Sequence, residues 1–584
     1  MAMLVPDDAG RNGAGNEHAR NKRKSVANMS IPTITVIHTN TDEENIYPDG
    51  IANFTKGLQH NNLGRVNPTH FNDFLEAVEN SLNDLPLDYK NSVSFFEDVP
   101  LLVGNDRRLW INPVAGLSYD SEGLDTFNRT IPPHPLLQHL NAAAEMAELY
   151  WMALIRDINF TDYDEKPIGQ DAYDAVDDLQ NNFGTYNFIK GWTRKSTIPL
   201  SVKTLFRGTN LGDDVGPYIS QFMYRGNRDE SLGREEEDGY VKYGAATIDQ
   251  RLVPAKKELD FMIDEKSWLE VQNGLDTFRP GDRLIPKGKK YFDDERRFIR
   301  NLRDLTTFVH FDQLFQAYLT ACFYMLTERD ISWAEGSQWD NVRFQFDDLN
   351  PYTPSATIKK QEGFVNFGPP HILTLIPEVA TRALKAVWLQ KWFVHRRLRP
   401  EAFGGLVHFK KTRPTHTTDY AIHDSLLLNS TVLQKIHNKK GTYLLPQAFK
   451  EGSPMHPSYG SGHATVAGAC VTVLKAWFKE GPMPGKILES KGDGKGLKKY
   501  EGNDTDQITI HGELNKLASN ISIGRNAAGV HWRSDYVASL QLGEEVAISI
   551  LKELKSYLPE PAIGQPLFTF KKFFTNEGDP PTTI

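Results

Sequence analysis

Long stretches in which apolar residues recur with the α-helical period constrain this chain more than any other feature. Between Leu136 and Arg156, Met146, Leu149, Tyr150, Ala153 and Leu154 fall at i, i+3, i+4, i+7 and i+8. A second stripe runs Phe308, Phe311, Phe315, Tyr318, Leu319 and Cys322. Further helical stretches cover 371–393, 461–479 and 534–557, the last opening on Ser534 and Asp535, residue types that suit a helix start. Strand-like alternation is brief, as in Thr33–Val36. The expected fold is mainly α, a large helical bundle with long loops and minor β-hairpins.

Composition sets the limits. With 39% hydrophobic residues in 584, the chain has material for a large core, which excludes a wholly disordered protein. Lys and Arg number 66 against 75 Asp and Glu, a net charge of −9, so no broad basic face awaits a phosphate backbone and nucleic acid is excluded as an expected partner. No apolar run approaches the ~20 residues of a membrane helix. The opening residues carry no apolar secretory stretch, and a soluble, by default cytoplasmic, protein is expected. Cys322 and Cys470 sit in apolar helical stretches far apart, and read as buried free thiols.

Residues 1–30, polar and without an apolar period, read as a mobile arm, 31–290 as a helical scaffold half with oligomer contacts, and 291–584 as the half that carries chemistry. No true linker marks the boundary. Two long connections, 207–250 and 335–370, read equally as functional covers or oligomer contacts and as plain insertions.

Three clusters in the second half make sense together. The first is Lys391-Trp392-Phe393-Val394-His395-Arg396-Arg397-Leu398-Arg399-Pro400, read as the end of a helix stopped by Pro400, where cations also complement the helix dipole. The second is His456-Pro457-Ser458-Tyr459-Gly460-Ser461-Gly462-His463, leading into an apolar helix whose opening N–H groups favour an anion. The third, Gly524-Arg525 through His531 to Asp535, places an oxyanion-binding guanidinium near a histidine. The step of four from His531 lets Asp535 fix the ring. One lysine, two arginines, a hydroxyl, backbone N–H groups and histidines with distinct tasks form a pocket for a tetrahedral or trigonal-bipyramidal oxyanion. No Cys/His or Asp/Glu constellation with cation-ligand spacing competes with it.

The order and spacing of these motifs resemble the vanadate-dependent haloperoxidases and the type 2 acid phosphatases that share their pocket. Seven residues separate Lys391 from Arg399, whereas the phosphatases and fungal chloroperoxidases usually have six; the longer step is similar to the bromoperoxidases of red algae and their cyanobacterial relatives. Phe367–Leu375, Glu378–Ala386, Glu451–Tyr459 and Ala144–Leu154 resemble that subgroup as well, so the likeness spans most of the chain beyond about residue 50. Gly460 and Gly524 stand where the family usually has Pro and Ser, and Gln390 stands where red-algal members carry Arg, a change that bears on halide access or preference.

The resemblance implies a vanadium-dependent bromoperoxidase that oxidises bromide and iodide with hydrogen peroxide to hypohalous acid, which halogenates an organic acceptor. It implies His531 as axial vanadium ligand, with Lys391, Arg399, Arg525, Ser461 and the Gly462 N–H holding the vanadate oxygens. It also implies His463 as the acid–base group, Lys391 as the group that makes the activated oxygen electrophilic, His456 in proton or halide traffic, and Asp535 behind His531. A dimer-based homo-oligomer, as large as a dodecamer, and a calcium contact in Phe344-Gln345-Phe346-Asp347-Asp348 belong to the same expectation. The competing readings are a phosphomonoesterase with His531 as nucleophile, and an anion-binding assembly protein without turnover.

Overall fold

The computed structural model describes residues 14–29, 35–83, 92–104, 106–184, 200–276, 290–327, 344–353, 360–560 and 565–584. Its α-helices run α1 (Ala14–Met29), α2 (Glu43–Ile46), α3 (Pro68–Asn83), α4 (Ser92–Glu97), α5 (Leu140–Ile155), α6 (Gln170–Phe183), α7 (Glu265–Gln272) and α8 (Leu302–Phe311). They continue with α9 (Gln316–Thr327), α10 (Pro369–Leu389), α11 (Pro400–Thr412), α12 (Val432–Lys440), α13 (Gly462–Trp477), α14 (Ile510–Ala527) and α15 (Arg533–Tyr557). Three two-stranded antiparallel hairpins accompany them: β1 (Tyr240–Tyr243) with β2 (Ala246–Asp249), β3 (Leu488–Ser490) with β4 (Leu497–Lys499), and β5 (Thr569–Phe570) with β6 (Thr582–Thr583).

Helix α13 is apolar on nearly every side and is accordingly buried along its length, with α15, α10 and α14 packed around it. The α13–α15 contact is backbone-close. A Cβ at Gly468 would stand 2.1 Å from the carbonyl oxygen of Leu540, and one at Gly543 would stand 1.9 Å from that of Thr465. Any side chain at either position forces the two helices apart. Helix α5 is also buried all round and brings Glu145 and Glu148 into the interior. The largest apolar cluster takes residues from Tyr47 to Ile584, so both halves of the chain share one core.

Several sequence expectations meet a different geometry. The stripe from Phe308 to Cys322 is not one helix: the chain leaves α8 at Asp312 and re-enters α9 at Gln316. Pro400 does not stop a helix but opens α11, where its missing N–H costs nothing. Helix α10 instead ends in a π-helical turn, Gln390–His395, closed by Arg396 in the left-handed region at φ 47°. Within the expected arm, Ala14–Met29 is helical, with Val26 buried and α15 alongside. Of Thr33–Val36, the first two residues lie outside the described residues and the other two form no strand. The 207–250 connection is packed, not loose: Ser220 N–H donates to Asn520 Oδ1 and Gln221 N–H to Glu513 Oε2 on α14. The 335–370 connection is described only at 344–353 and 360–370. Cys322 and Cys470 are free and buried. Among the described residues, no helix is long and apolar enough to cross a membrane.

Candidate active site

The π-helical turn after α10 carries Lys391 into the interior, fully buried. Its Nζ donates to the carbonyls of Pro457 (2.9 Å) and Ser458 (3.0 Å), which uses two of its three protons. Arg399 caps α11 and is also buried. Its Nε donates to the His456 carbonyl (2.9 Å), Nη2 to His456 Nδ1 (2.9 Å), and Nη1 to the Val530 carbonyl (2.8 Å) and to His531 Nε2 (3.0 Å). One guanidinium thus ties all three motifs together. The His456 ring lies against Trp388, centroids 4.8 Å apart.

Ser461 is the N-cap of α13, its Oγ accepting from Ala464 N–H and its own N–H donating to Ser539 Oγ at 2.7 Å. Gly462 and His463 follow in the first turn, where backbone donors point outward from the helix end. His463 Nε2–H donates to Asp312 Oδ1 at 3.0 Å, and its side chain, 15% exposed, is the most open of the motif side chains quoted above.

Arg525 lies in the last turn of α14, not ahead of a helix in open chain. Its Nη1 donates to the Val309 carbonyl (2.8 Å) at the end of α8, its guanidinium lies 5.1 Å over the Phe449 ring, and its buried Nε has no hydrogen-bond partner among the described residues. His531 sits in the turn between α14 and α15. Its Nδ1–H donates to Asp535 Oδ2 at 2.8 Å, and because Arg399 donates to Nε2, the lone pair is on Nε2. Asp535, wholly buried, also caps α15 by accepting Trp532 N–H at 3.2 Å, and receives Ser458 Oγ–H.

The electrostatics share one cause. Burial pushes the Lys391 ammonium well below the usual lysine range, and the nearby Arg399 and Arg525 push the same way. Burial brings Arg399 down to about 9 and Arg525 to about 10. His531 and His456 are held well below 6.5 by burial and by neighbouring cations. Cationic groups that burial and mutual repulsion make reluctant to keep their protons, beside a buried N–H with no partner among the described residues, form a donor set suited to an anion.

The structure joins Lys391, Arg399, His456, His531 and Asp535 in one hydrogen-bond network through Pro457 and Ser458, whereas Ser461, His463 and Arg525 bond instead to Ser539, Asp312 and Val309, with His463 and Arg525 close enough to lower the proton affinity of His531. Gln390 stays outside it: buried, it donates to the Arg129 carbonyl at 3.1 Å and accepts weakly from Ile131 N–H. Sequence reasoning missed Asp312, which partners His463, and Arg397, which joins Asp535 to Glu145. It also missed α14, although Leu514, Leu517, Ala518 and Ile521 fall at i, i+3, i+4 and i+7. At Phe344–Asp348, Asp348 pairs with Lys479 at 2.8 Å, and among the described residues no three His, Cys, Asp or Glu side chains cluster as cation ligands do.

Residues 408–560 match the family model of the VCPO second helical-bundle domain. The chain is 40% identical over 561 residues to the vanadium-dependent bromoperoxidase of Corallina pilulifera, covering 89% of this chain and 90% of the relative. It is 33% identical over 555 residues to that of Ascophyllum nodosum, covering 92% and 88%. The solved homohexameric structure of the second vanadate-dependent bromoperoxidase from Ascophyllum nodosum superposes with a TM-score of 0.78 at 28% identity, covering 96% of this chain and 89% of that one. Similarity of this extent runs through both halves, and the chain belongs to the vanadium-dependent haloperoxidases.

Proposed function

We propose that this protein is a vanadate-dependent bromoperoxidase, which oxidises bromide and iodide with hydrogen peroxide to hypohalous acid that halogenates organic acceptors. The observation that carries the reading is His531: its Nδ1–H is held by Asp535 and its Nε2 lone pair is turned toward Arg399 among buried cations.

The residues fit a vanadate. An oxyanion would answer the unpartnered Nε of Arg525 and the depressed proton affinities of Lys391, Arg399 and Arg525 together. His531 Nε2 would hold the vanadium, with Lys391, Arg399, Arg525, Ser461 and the Gly462 N–H holding the oxygens. Asp535 holds the ring nitrogen opposite the metal, as outer-shell carboxylates do. The chemistry vanadate supplies when bound is Lewis-acid activation of hydrogen peroxide. His463, steadied by Asp312 on the more open side, gives and takes the protons of that exchange. Lys391, two of whose protons are held by the Pro457 and Ser458 carbonyls, would donate its third to an oxygen of the bound group and draw electron density from it. His456, fixed by Arg399, serves proton or halide traffic, and Gln390 supports the Arg129–Ile131 segment behind Lys391.

In this reading 291–584 is the catalytic half, 31–290 the scaffold that supplies oligomer contacts, and 1–30 an arm. The assembly is a homo-oligomer built from dimers, for which the homohexameric relative offers support in kind and a dodecamer is the larger alternative. Calcium, with Asp347 and Asp348 as contacts, is a secondary element of the proposal.

The test is bromination of a phenol reporter by vanadate-free protein with peroxide and bromide, with and without orthovanadate, beside hydrolysis of a phosphate ester without vanadate. Activity that requires both vanadate and bromide is expected. Ester hydrolysis without bromide oxidation would assign the same pocket to a phosphatase.

A further inference from the structure

The last turn of α8 is held against the pocket at two points. Arg525 Nη1 donates to the Val309 carbonyl at 2.8 Å, and His463 Nε2–H donates to Asp312 Oδ1 at 3.0 Å. Phe311 lies between these anchors, within one helical turn of both, and is 44% exposed. Phe292, 40% exposed, meets it from the segment before α8 with ring centroids 5.3 Å apart. Tyr291 stands nearly perpendicular to both rings, 4.8 Å from Phe292 and 6.3 Å from Phe311. The aromatic surface continues inward: Phe311 lies 4.2 Å from His310, His310 stacks on Phe449 at 3.8 Å, and the Arg525 guanidinium lies 5.1 Å over Phe449. A row of rings thus leads from the surface to a cation of the pocket. Two phenylalanines this open, in contact with each other beside a polar pocket, form the kind of apolar patch that marks a ligand surface.

We infer that Phe292 and Phe311 bind the organic acceptor, a flat aromatic molecule, beside the pocket. The inference rests on the bromoperoxidase reading, which supplies hypobromous acid there. A planar ring finds offset and edge contacts on a phenylalanine pair without needing a charge. Neither exposed ring carries the oxygen or nitrogen that activates a phenol or an indole, so the platform does not compete with its own ligand for the electrophile. The position suits the reaction too, because Phe311 adjoins Asp312, the partner of the most open pocket histidine. In the step itself, a ring carbon of the acceptor attacks the bromine of hypobromous acid. The C–Br bond forms, the O–Br pair leaves with oxygen, and the ring proton departs with that hydroxide as water.

The test gives orthovanadate-reconstituted protein peroxide, bromide and an equimolar mixture of 2-naphthol and a small aliphatic 1,3-diketone. The ratio of brominated products is compared with that from reagent hypobromous acid in the same buffer. The wild type is expected to favour 2-naphthol more than the free reagent does, and Phe311→Ala and Phe292→Ala each to lose about 2- to 10-fold of that ratio, the range of one aromatic pair. Triiodide formation from iodide and peroxide, which needs no organic acceptor, should be unchanged in both variants. Saturation-transfer NMR of 2-naphthol on vanadate-free protein should weaken in both as well. Phe292→Ala, outside α8, serves if Phe311→Ala does not fold. A wild-type ratio equal to that of the free reagent, or one that neither variant moves, would overturn the inference. So would a change of mass in light scattering of the variants, which would make this face a contact between copies of the chain. Absence of triiodide from the reconstituted wild type would instead remove the bromoperoxidase reading, while saturation transfer lost in the variants would still assign the aromatic site.

Discussion

The imidazole of His463 and the carboxylate of Asp312 meet at 3.0 Å across a break between two helices, one residue opening α13 and the other closing α8. Burial lowers the proton affinity of His463, and Asp312 opposes that shift. His463→Ala is expected to retain vanadium and lose about 100-fold or more of bromide oxidation, the usual share of a general acid–base group. Asp312→Asn removes the opposing charge, so the affinity of His463 falls further. The pH limb on which neutral His463 appears then moves to lower pH, which a profile of kcat/KM for peroxide checks.

His531→Ala is expected to fold and to lose both vanadium and bromide oxidation. Elemental analysis after reconstitution and dialysis measures the first, and circular dichroism confirms the fold. Vanadium retained at the wild-type level would place the axial ligand elsewhere.

Because buried cations and N–H donors answer the charge of a tetrahedral oxyanion without regard to its central atom, inorganic phosphate should compete with orthovanadate. Reconstitution in rising phosphate is expected to slow and to need proportionally more vanadate. An insensitive reconstitution would count against Arg399 and Arg525 as the groups that hold the oxygens.

Asp535→Ala leaves the buried Arg397 with one carboxylate in place of two and His531 with no partner on Nδ1. Stability is expected to fall by about 3–5 kcal/mol, the range for breaking a buried pair from one side. The midpoint of denaturant unfolding measures it, with Ser430→Ala, a buried hydroxyl far from this network in sequence, as a comparison.

Glu43 gives a stability signature in pH. Burial raises its carboxyl from 4.5 to about 7. Its Oε1 accepts Leu137 N–H, and Oε2 lies 3.9 Å from His134 Nε2. The folded state thus holds a proton that the unfolded chain has released, so this contribution is present below pH ~4.5 and is lost as pH rises toward about 7. The loss amounts to about 3 kcal/mol. Glu43→Gln keeps the acceptor and removes the titration, so the variant should lack this loss of stability across that interval while the wild type shows it, and the difference between the two should change by that amount.

Much of this molecule is legible in its sequence because its parts obey local rules. The apolar periods of α5, α10, α13 and α15 show in the chain, and the glycine-flanked serine that caps α13 does too. The step of four that lets Asp535 hold His531 is likewise visible without coordinates. What escaped was set by packing. Asp312 interrupts an apolar stripe that continues on both sides of it, so periodicity carried the eye across the break. Pro400 stops or starts a helix with equal ease, and only the turn before it decides. Glu145 sits among apolar neighbours in a helix that reads as core, and nothing local marks it as the partner of an arginine some 250 residues away.

The π-helical turn at Gln390–His395 holds one residue more than an α-helical turn would. Removing that residue would restore a regular turn and leave six positions between Lys391 and Arg399, the count usual in phosphatases and fungal chloroperoxidases. The joint therefore acts as slack in the chain. A residue gained or lost there would be absorbed by the turn at the edge of the pocket, so a motif written as a fixed spacing would overlook a protein that differs from this one only in that turn.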